Sequence, residues 1–251
     1  MSVKRLRILA GPNGSGKTTV YKDISRVAHF SFGIFVNADE IELCLRTNGN
    51  MSFGEYGIDV YSEEFLEGYK SFPKSKESSV SEKDFAIKNN VITVSNPEIV
   101  DSYFACYIAS FLRDKMLTAG VETITMETVM SHPSKLELIK KAHEQGYRVY
   151  LYYVTTNDSF INVERVKARM ALGGHGVSED KVHSRYIRSL EILFDAMMLS
   201  DRAFLFDNSG KKYDLVAEYD GSNETLQILG KSWPSWLQQY VVDRIFDQNN
   251  N

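Results

Sequence analysis

The stretch GPNGSGKTT, Gly11 to Thr19, decides the reading of the chain. Gly11, Gly16, Lys17 and Thr18 fit the spacing G-x-x-x-x-G-K-[ST], which builds a backbone cradle for phosphate. A glycine-rich turn can also bind nothing, so the flanks decide. RLRILA (5–10) before the loop reads as a short buried strand. KTTVYKDISRVA (17–28) after it has helical spacing, with Val20, Ile24 and Val27 on one face. Strand, loop and helix in this order point the first helical amides at an anion. Glycine lets the backbone wrap close to the oxygens. Lys17 adds a cation at the β- and γ-phosphates, and the Thr18 hydroxyl is placed for Mg²⁺. The whole loop, Gly11, Pro12, Asn13, Gly14, Ser15, Gly16, Lys17, Thr18 and Thr19, is therefore expected to hold nucleotide phosphate.

Outward from the loop, strand-like and helical segments alternate. The strands are FGIFVN (32–37), VETITME (121–127), YRVYLYYV (147–154) and RAFLFD (202–207). PSKLELIKKAHEQG (133–146) is the clearest helix, with Pro133 at its start, a Ser134/Glu137 capping pair and Gly146 as its stop. Alternation of this kind predicts a three-layer α/β fold with a mainly parallel sheet. LVAEYDG and ETLQILG read as an antiparallel hairpin turning at Gly221-Ser222-Asn223, and a helix from about Pro234 would bury Leu237, Val241 and Ile245. One large domain over 1–251 is expected, with an inserted subregion at about 48–96, after the second strand, that lacks the βα rhythm.

Composition narrows the function classes. The chain has 251 residues, 43% of them hydrophobic, enough for a sizeable core. A formal net charge of −4 disfavours a general nucleic-acid or acidic-membrane binder. Two cysteines, Cys44 and Cys106, form no paired motif, so neither a disulfide framework nor a zinc site is expected. Only three apolar residues follow the basic Lys4, Arg5 and Arg7 before the loop, which is too few for a signal peptide. No apolar run approaches membrane-spanning length. A cytoplasmic protein with reduced thiols is the expectation.

Beyond the loop, four stretches carry a family resemblance: NADEI (37–41), ETVMSHPSKLELIKKAHEQGYRVYLYYV (127–154), RVKARMALGGHGVSEDKVHSRYIRSL (165–190) and FDNSG (206–210), in order after GPNGSGKTT. In that order and spacing the chain resembles the zeta-toxin-like P-loop kinases, closest to the branch often labelled predicted ABC-type ATPases. The resemblance covers most of the chain except the insertion and the last thirty or so residues. It implies an ATP- and Mg²⁺-dependent phosphotransferase acting on a hydroxyl of a small molecule. For zeta toxins that acceptor is a UDP-linked amino sugar. It places Asp39 where the family has its catalytic base and Glu127 where a glutamate binds substrate. Arg165 matches the first of two lid arginines; the second has no clean match, with Arg169 and Arg185 as substitutes. A protein antitoxin or regulator is a further implied partner.

Each candidate has a plainer reading. DEIE (39–42) also reads as a helix start with Asp39 as N-cap and Glu42 three residues on. Glu127 is also a solvated rim charge at a strand end. Arg165 and Arg169, four apart on one helix face, with Arg185 on the next helix, flank the glycines of ALGGHGV (171–177). A lid over phosphates needs that combination, with His175 as a further phosphate donor. The alternative is a basic face paired with Glu164 or Glu179. Asp207 ends an apolar strand like the Mg²⁺ strand of transport ATPases, and LGGH faintly echoes their signature loop. Asn208 stands where such ATPases carry a catalytic glutamate, and DNSG (207–210) suits a loop that packs on a purine, with Asn208 in contact with the nucleotide. The competing functions are therefore an ABC-like ATPase or nucleotide-binding regulator acting through a protein partner, and an RNA or polynucleotide-end kinase.

Overall fold

Strand β1 (Arg5–Ala10) forms where the sequence places it, buried over five of its six residues, and leads into the loop and helix α1 (Lys17–Val27). The computed structural model describes residues 3–172, 176–230 and 233–249. In chain order there follow β2 (Ile34–Val36), α2 (Ala38–Asn48), β3 (Asn50–Ser52), α3 (Ser62–Ser71), β4 (Phe85–Lys88), β5 (Val91–Val94), α4 (Ser102–Ala119) and β6 (Thr123–Thr128). Then come α5 (Ser134–Glu144), β7 (Arg148–Thr155), α6 (Ser159–Ala171), α7 (Glu179–Glu191), α8 (Leu193–Met198), β8 (Arg202–Asp207), β9 (Asp214–Asp220) and β10 (Thr225–Ile228). The last helical stretch is α9 (Ser235–Leu237), a π-turn over Gln238–Val242 and α10 (Asp243–Asn249).

The chain divides into two units, Met1–Phe32 with Glu127–Asn251, and Gly33–Met126. In the first, the strand order is β10-β9-β8-β7-β1. β1, β7 and β8 run parallel, with Ile8 beside Leu151 and Leu151 beside Ala203. Consecutive residues of β1 and β7 are buried, as parallel strands covered on both faces require. β9 and β10 add the expected antiparallel hairpin at the edge. Leu237 and Val241 are fully buried, and Ile245 only partly.

Helix α1 forms as its spacing predicts, with Val27 at its end 73% exposed. One local expectation for this unit fails. The Ser134/Glu137 box does not form: the Ser134 amide donates to His132 Nδ1 and Glu137 pairs with Lys140. Gly146 does end α5, its amide donating to His143 O at 2.8 Å.

In the second unit β2 and β6 pair in parallel, β6 running on into the first unit. The 48–96 insertion has secondary structure of its own. It contains α3 and a three-stranded antiparallel sheet of order β3-β5-β4. Phe65 and Tyr69 of α3 meet Phe85 of β4 and Phe104 and Tyr107 of α4 in mostly edge-on contacts, a geometry that aromatic rings favour. The Tyr69 hydroxyl donates to Val80 O at 2.5 Å and that of Tyr107 to Phe65 O. Burial raises the pKa of the Tyr107 phenol.

Candidate active site

The phosphate loop lies in the first unit, where its shape is set by what presses on it. Gly14 has φ +75°, and a Cβ there would stand 2.4 Å from the Asn162 carbonyl oxygen. Gly16 has φ +92°, and a Cβ would stand 2.2 Å from Asn208 Nδ2. Both positions need a left-handed backbone and have no room for a side chain, so only glycine serves. Gly16 is also the cap of α1 and supplies no side-chain acceptor. Among the described residues the amides of Gly14, Gly16 and Thr18 have no protein acceptor, which leaves the helix start able to receive an anion. The buried Ser15 hydroxyl likewise lacks a partner among the described residues.

The functional groups of the loop converge on one acid. Lys17, 7% exposed, donates to the carbonyls of Gly11 and Pro12 at 3.0 and 3.1 Å and stands 3.7 Å from Glu127 Oε1. The Thr18 hydroxyl donates to Glu127 Oε2 at 3.3 Å. Glu127 is thus not a solvated rim charge; its side chain is 17% exposed and set against the loop. Thr18 and Glu127 offer oxygen ligands to a hard cation, and no group of three His, Cys, Asp or Glu forms an all-protein metal site among the described residues. That donor set suits Mg²⁺, which is commonly bound by one or two carboxylates together with phosphate and water. The residues present therefore fit a magnesium-nucleotide.

Side chains from three later elements brace the loop. Asn208 Nδ2 donates to Ser15 O at 2.8 Å, so the amide expected against a purine grips the loop backbone. Asn162 of α6, fully buried, donates through Nδ2 to Asn13 O at 2.6 Å. Arg185 of α7 donates to Asn13 Oδ1 at 3.3 Å. Nothing in the sequence singled out Asn162, one polar residue beside the apolar Val163 and Val166 of its helix.

Helices α6 and α7 carry the charges that the sequence left with two readings. Glu164 and Glu179 both pair with Lys167, at 3.3 and 2.9 Å, and these bonds raise the Lys167 pKa. Arg165 pairs with neither of these glutamates. Arg165 reaches Gly210 O at 3.5 Å, and its buried Nη1 has no partner among the described residues. Arg169 is exposed on the same helix. His175 lies outside the described residues. The Tyr186 hydroxyl, its pKa raised by burial, donates to Thr156 O at 2.7 Å and ties α7 to the end of β7.

Asp207 is occupied differently from a metal-site acid. Its carboxylate accepts from Trp236 Nε1 at 2.8 Å and from the Ser209 amide and hydroxyl at 3.0 and 3.1 Å, anchoring the C-terminal helices.

Asp39 lies in the second unit, in the first turn of α2. It is not the helix cap. Asn37 holds that place, its Oδ1 accepting from the Asp39 amide at 2.8 Å. Glu42, 3% exposed, pairs with Arg46 instead of completing a capping box. The Asp39 carboxylate is exposed and makes no hydrogen bond or ion pair among the described residues.

A chain in the crystal structure of AvrRxo1-ORF1:AvrRxo1-ORF2 with sulphate ions is similar over 90% of this chain, with a TM-score of 0.53 and 15% identity. This chain shares that fold. The native form of the same complex gives a TM-score of 0.52 at 14% identity. A chain from the PezAT toxin-antitoxin system of Streptococcus pneumoniae is covered over 85% of its length, with a TM-score of 0.49 and 12% identity. An uncharacterized protein of Haemophilus influenzae is 43% identical over 61 residues, or 24% of this chain. No protein-family profile matches. The chain spans 61% of the AvrRxo1 chain and 44% of the Haemophilus protein.

Proposed function

We propose that this protein is a P-loop kinase that transfers the terminal phosphate of ATP to a hydroxyl of a small molecule, with a nucleotide sugar as the first acceptor class to test. The observation that carries the proposal is the convergence of Lys17, Thr18 and Glu127 beside a loop in which the amides of Gly14, Gly16 and Thr18 have no protein acceptor among the described residues.

In this reading the loop amides and Lys17 hold the β- and γ-phosphates. Thr18 and Glu127 hold Mg²⁺, which would neutralise phosphate charge. Glu127 also has a share in acceptor binding, as the resemblance implies. Arg165, Arg169 and Arg185 supply cations to the transferring oxygens, where stabilisation counts most in the transition state. His175 adds a donor to the lid, and Asn208 keeps the loop in register with the nucleotide. Asp39 orients the acceptor hydroxyl and takes its proton late in the transfer, a role for which its uncommitted carboxylate is suited. A protein antitoxin or regulator is a second partner class, in keeping with the AvrRxo1 structure, which holds ORF1 with ORF2. A cytoplasmic location belongs to the same reading; no helix among the described residues is long and apolar enough to cross a membrane.

The ABC-like alternative is weakened by Asp207, whose carboxylate is committed to Trp236 and Ser209. The test is ATP consumption by the purified protein with Mg²⁺ across nucleotide sugars, nucleosides and short RNA, with products identified by mass spectrometry. Turnover should rise sharply with one small-molecule acceptor, giving its phosphorylated form. Equal hydrolysis with and without every acceptor, together with dimerisation on ATP, would instead establish the ATPase. Transfer to RNA ends alone would establish the polynucleotide kinase.

A further inference from the structure

We infer that Asn162 is a positioning residue that keys the lid helix α6 to the phosphate loop, with Asn13 as the node shared by both lid helices. The inference rests on the kinase reading above. Asn162 is fully buried and satisfied at both ends of its amide: Nδ2 donates to Asn13 O at 2.6 Å, and Oδ1 accepts from the Thr156 hydroxyl at the end of β7. Its own main-chain oxygen presses on Gly14, where a Cβ would approach to 2.4 Å. A leucine of similar size could fill the space but would strand the Asn13 carbonyl without its donor. The chemistry therefore calls for a side chain that donates on one side and accepts on the other.

Asn13 faces the lid twice. Its main-chain oxygen is held by Asn162 of α6 and its side-chain oxygen by Arg185 of α7. Arg165 follows Asn162 by three residues, so the two share a helix face. A helical turn is stiff, so a shift of the loop passed to Asn162 is carried on to Arg165. A loop drawn into register by phosphate would carry α6 with it. A misplacement of about 1 Å at such a point is enough to cost roughly a hundredfold in rate.

Hydrogen-deuterium exchange on the full chain, with and without Mg²⁺ and a non-hydrolysable ATP analogue, reads this coupling directly. In the wild type the nucleotide should protect both the loop (11–19) and α6. In Asn162→Ala the loop should stay protected while the added protection of α6 disappears. ATP turnover per folded molecule should fall about ten- to a hundredfold, with KM for ATP changed by less than about threefold. Asn13→Ala removes only the Arg185 branch, so the nucleotide's added protection of α7 should weaken while α6 stays coupled. A variant Asn162→Ala with wild-type turnover or undiminished α6 protection would overturn the inference. If that variant does not fold, the wild type still decides, since nucleotide binding that leaves α6 exchange unchanged refutes the coupling alone. A wild type that binds no nucleotide would refute the kinase reading and the coupling built on it together.

Discussion

The phosphate loop and the start of α2 are held in opposite ways. Around Gly11–Thr19 the carbonyls and the lysine are engaged, while the amides of Gly14, Gly16 and Thr18 are left open among the described residues. Asn162 and Asn208 grip its carbonyls, Arg185 grips Asn13, and Lys17 folds back on Gly11 and Pro12. At α2 the helix is capped by Asn37, and the neighbouring Asp39 carries a carboxylate with no structural duty among the described residues. A donor site common to many enzymes gains from preorganisation, since its phosphate geometry does not vary. In the proposed reading, the uncommitted Asp39 carboxylate is free to meet the acceptor hydroxyl.

The sharpest break of this contrast is Lys17→Ala. Loss of the cation at the β- and γ-phosphates should reduce ATP turnover to background. Unchanged turnover in the purified variant would overturn the phosphate-loop reading. Asp39→Asn comes next and should separate the two regions cleanly. Transfer should fall by about a hundred- to ten-thousandfold, while ATP affinity measured by titration is kept. The thermal melt should move little, because Asn37 is the cap and an acid in the first helical turn contributes less than about 1 kcal/mol. Retained transfer in this variant would remove Asp39 from the mechanism. Arg165→Ala should lower kcat by roughly a hundredfold with a smaller change in substrate KM. A uniform loss of folded protein without that kinetic split would return Arg165 to a structural role.

The smallest effect tests whether the second unit's aromatic core is separable from nucleotide binding. In Gly68→Ala the new Cβ would meet the Tyr107 hydroxyl at 2.6 Å, and that hydroxyl is tied to Phe65 O. Stability should fall by about 1 to 2 kcal/mol, overpacking outweighing the helix propensity gained. ATP affinity at temperatures where the variant is folded should be unchanged. A parallel loss of affinity, followed by titration calorimetry, would show that the two regions do not stand apart.

Legibility along the chain follows the range of the interactions. The loop, the parallel strands and the β9–β10 hairpin were readable because each is encoded by contiguous residues with a strong local pattern. The small sheet of the 48–96 insertion was not, because strands of three and four residues leave no detectable period and its aromatic core draws on α4, beyond its own boundary. Single-residue choices at helix starts also escaped. Asn37, Asp39 and Ser134 are all competent caps by type, and only backbone conformation selects among them.

The sequence by itself determined a phosphate-binding loop between a buried strand and a helix, an α/β chain order around it, and a set of arginines flanking a glycine-rich turn. Only the tertiary structure decided what braces that loop. Asn162, Asn208 and Arg185 reach it from 149, 193 and 172 positions away. Hydrogen bonds of that span leave no periodicity in the chain, since they depend on where distant elements pack and not on what stands beside each residue.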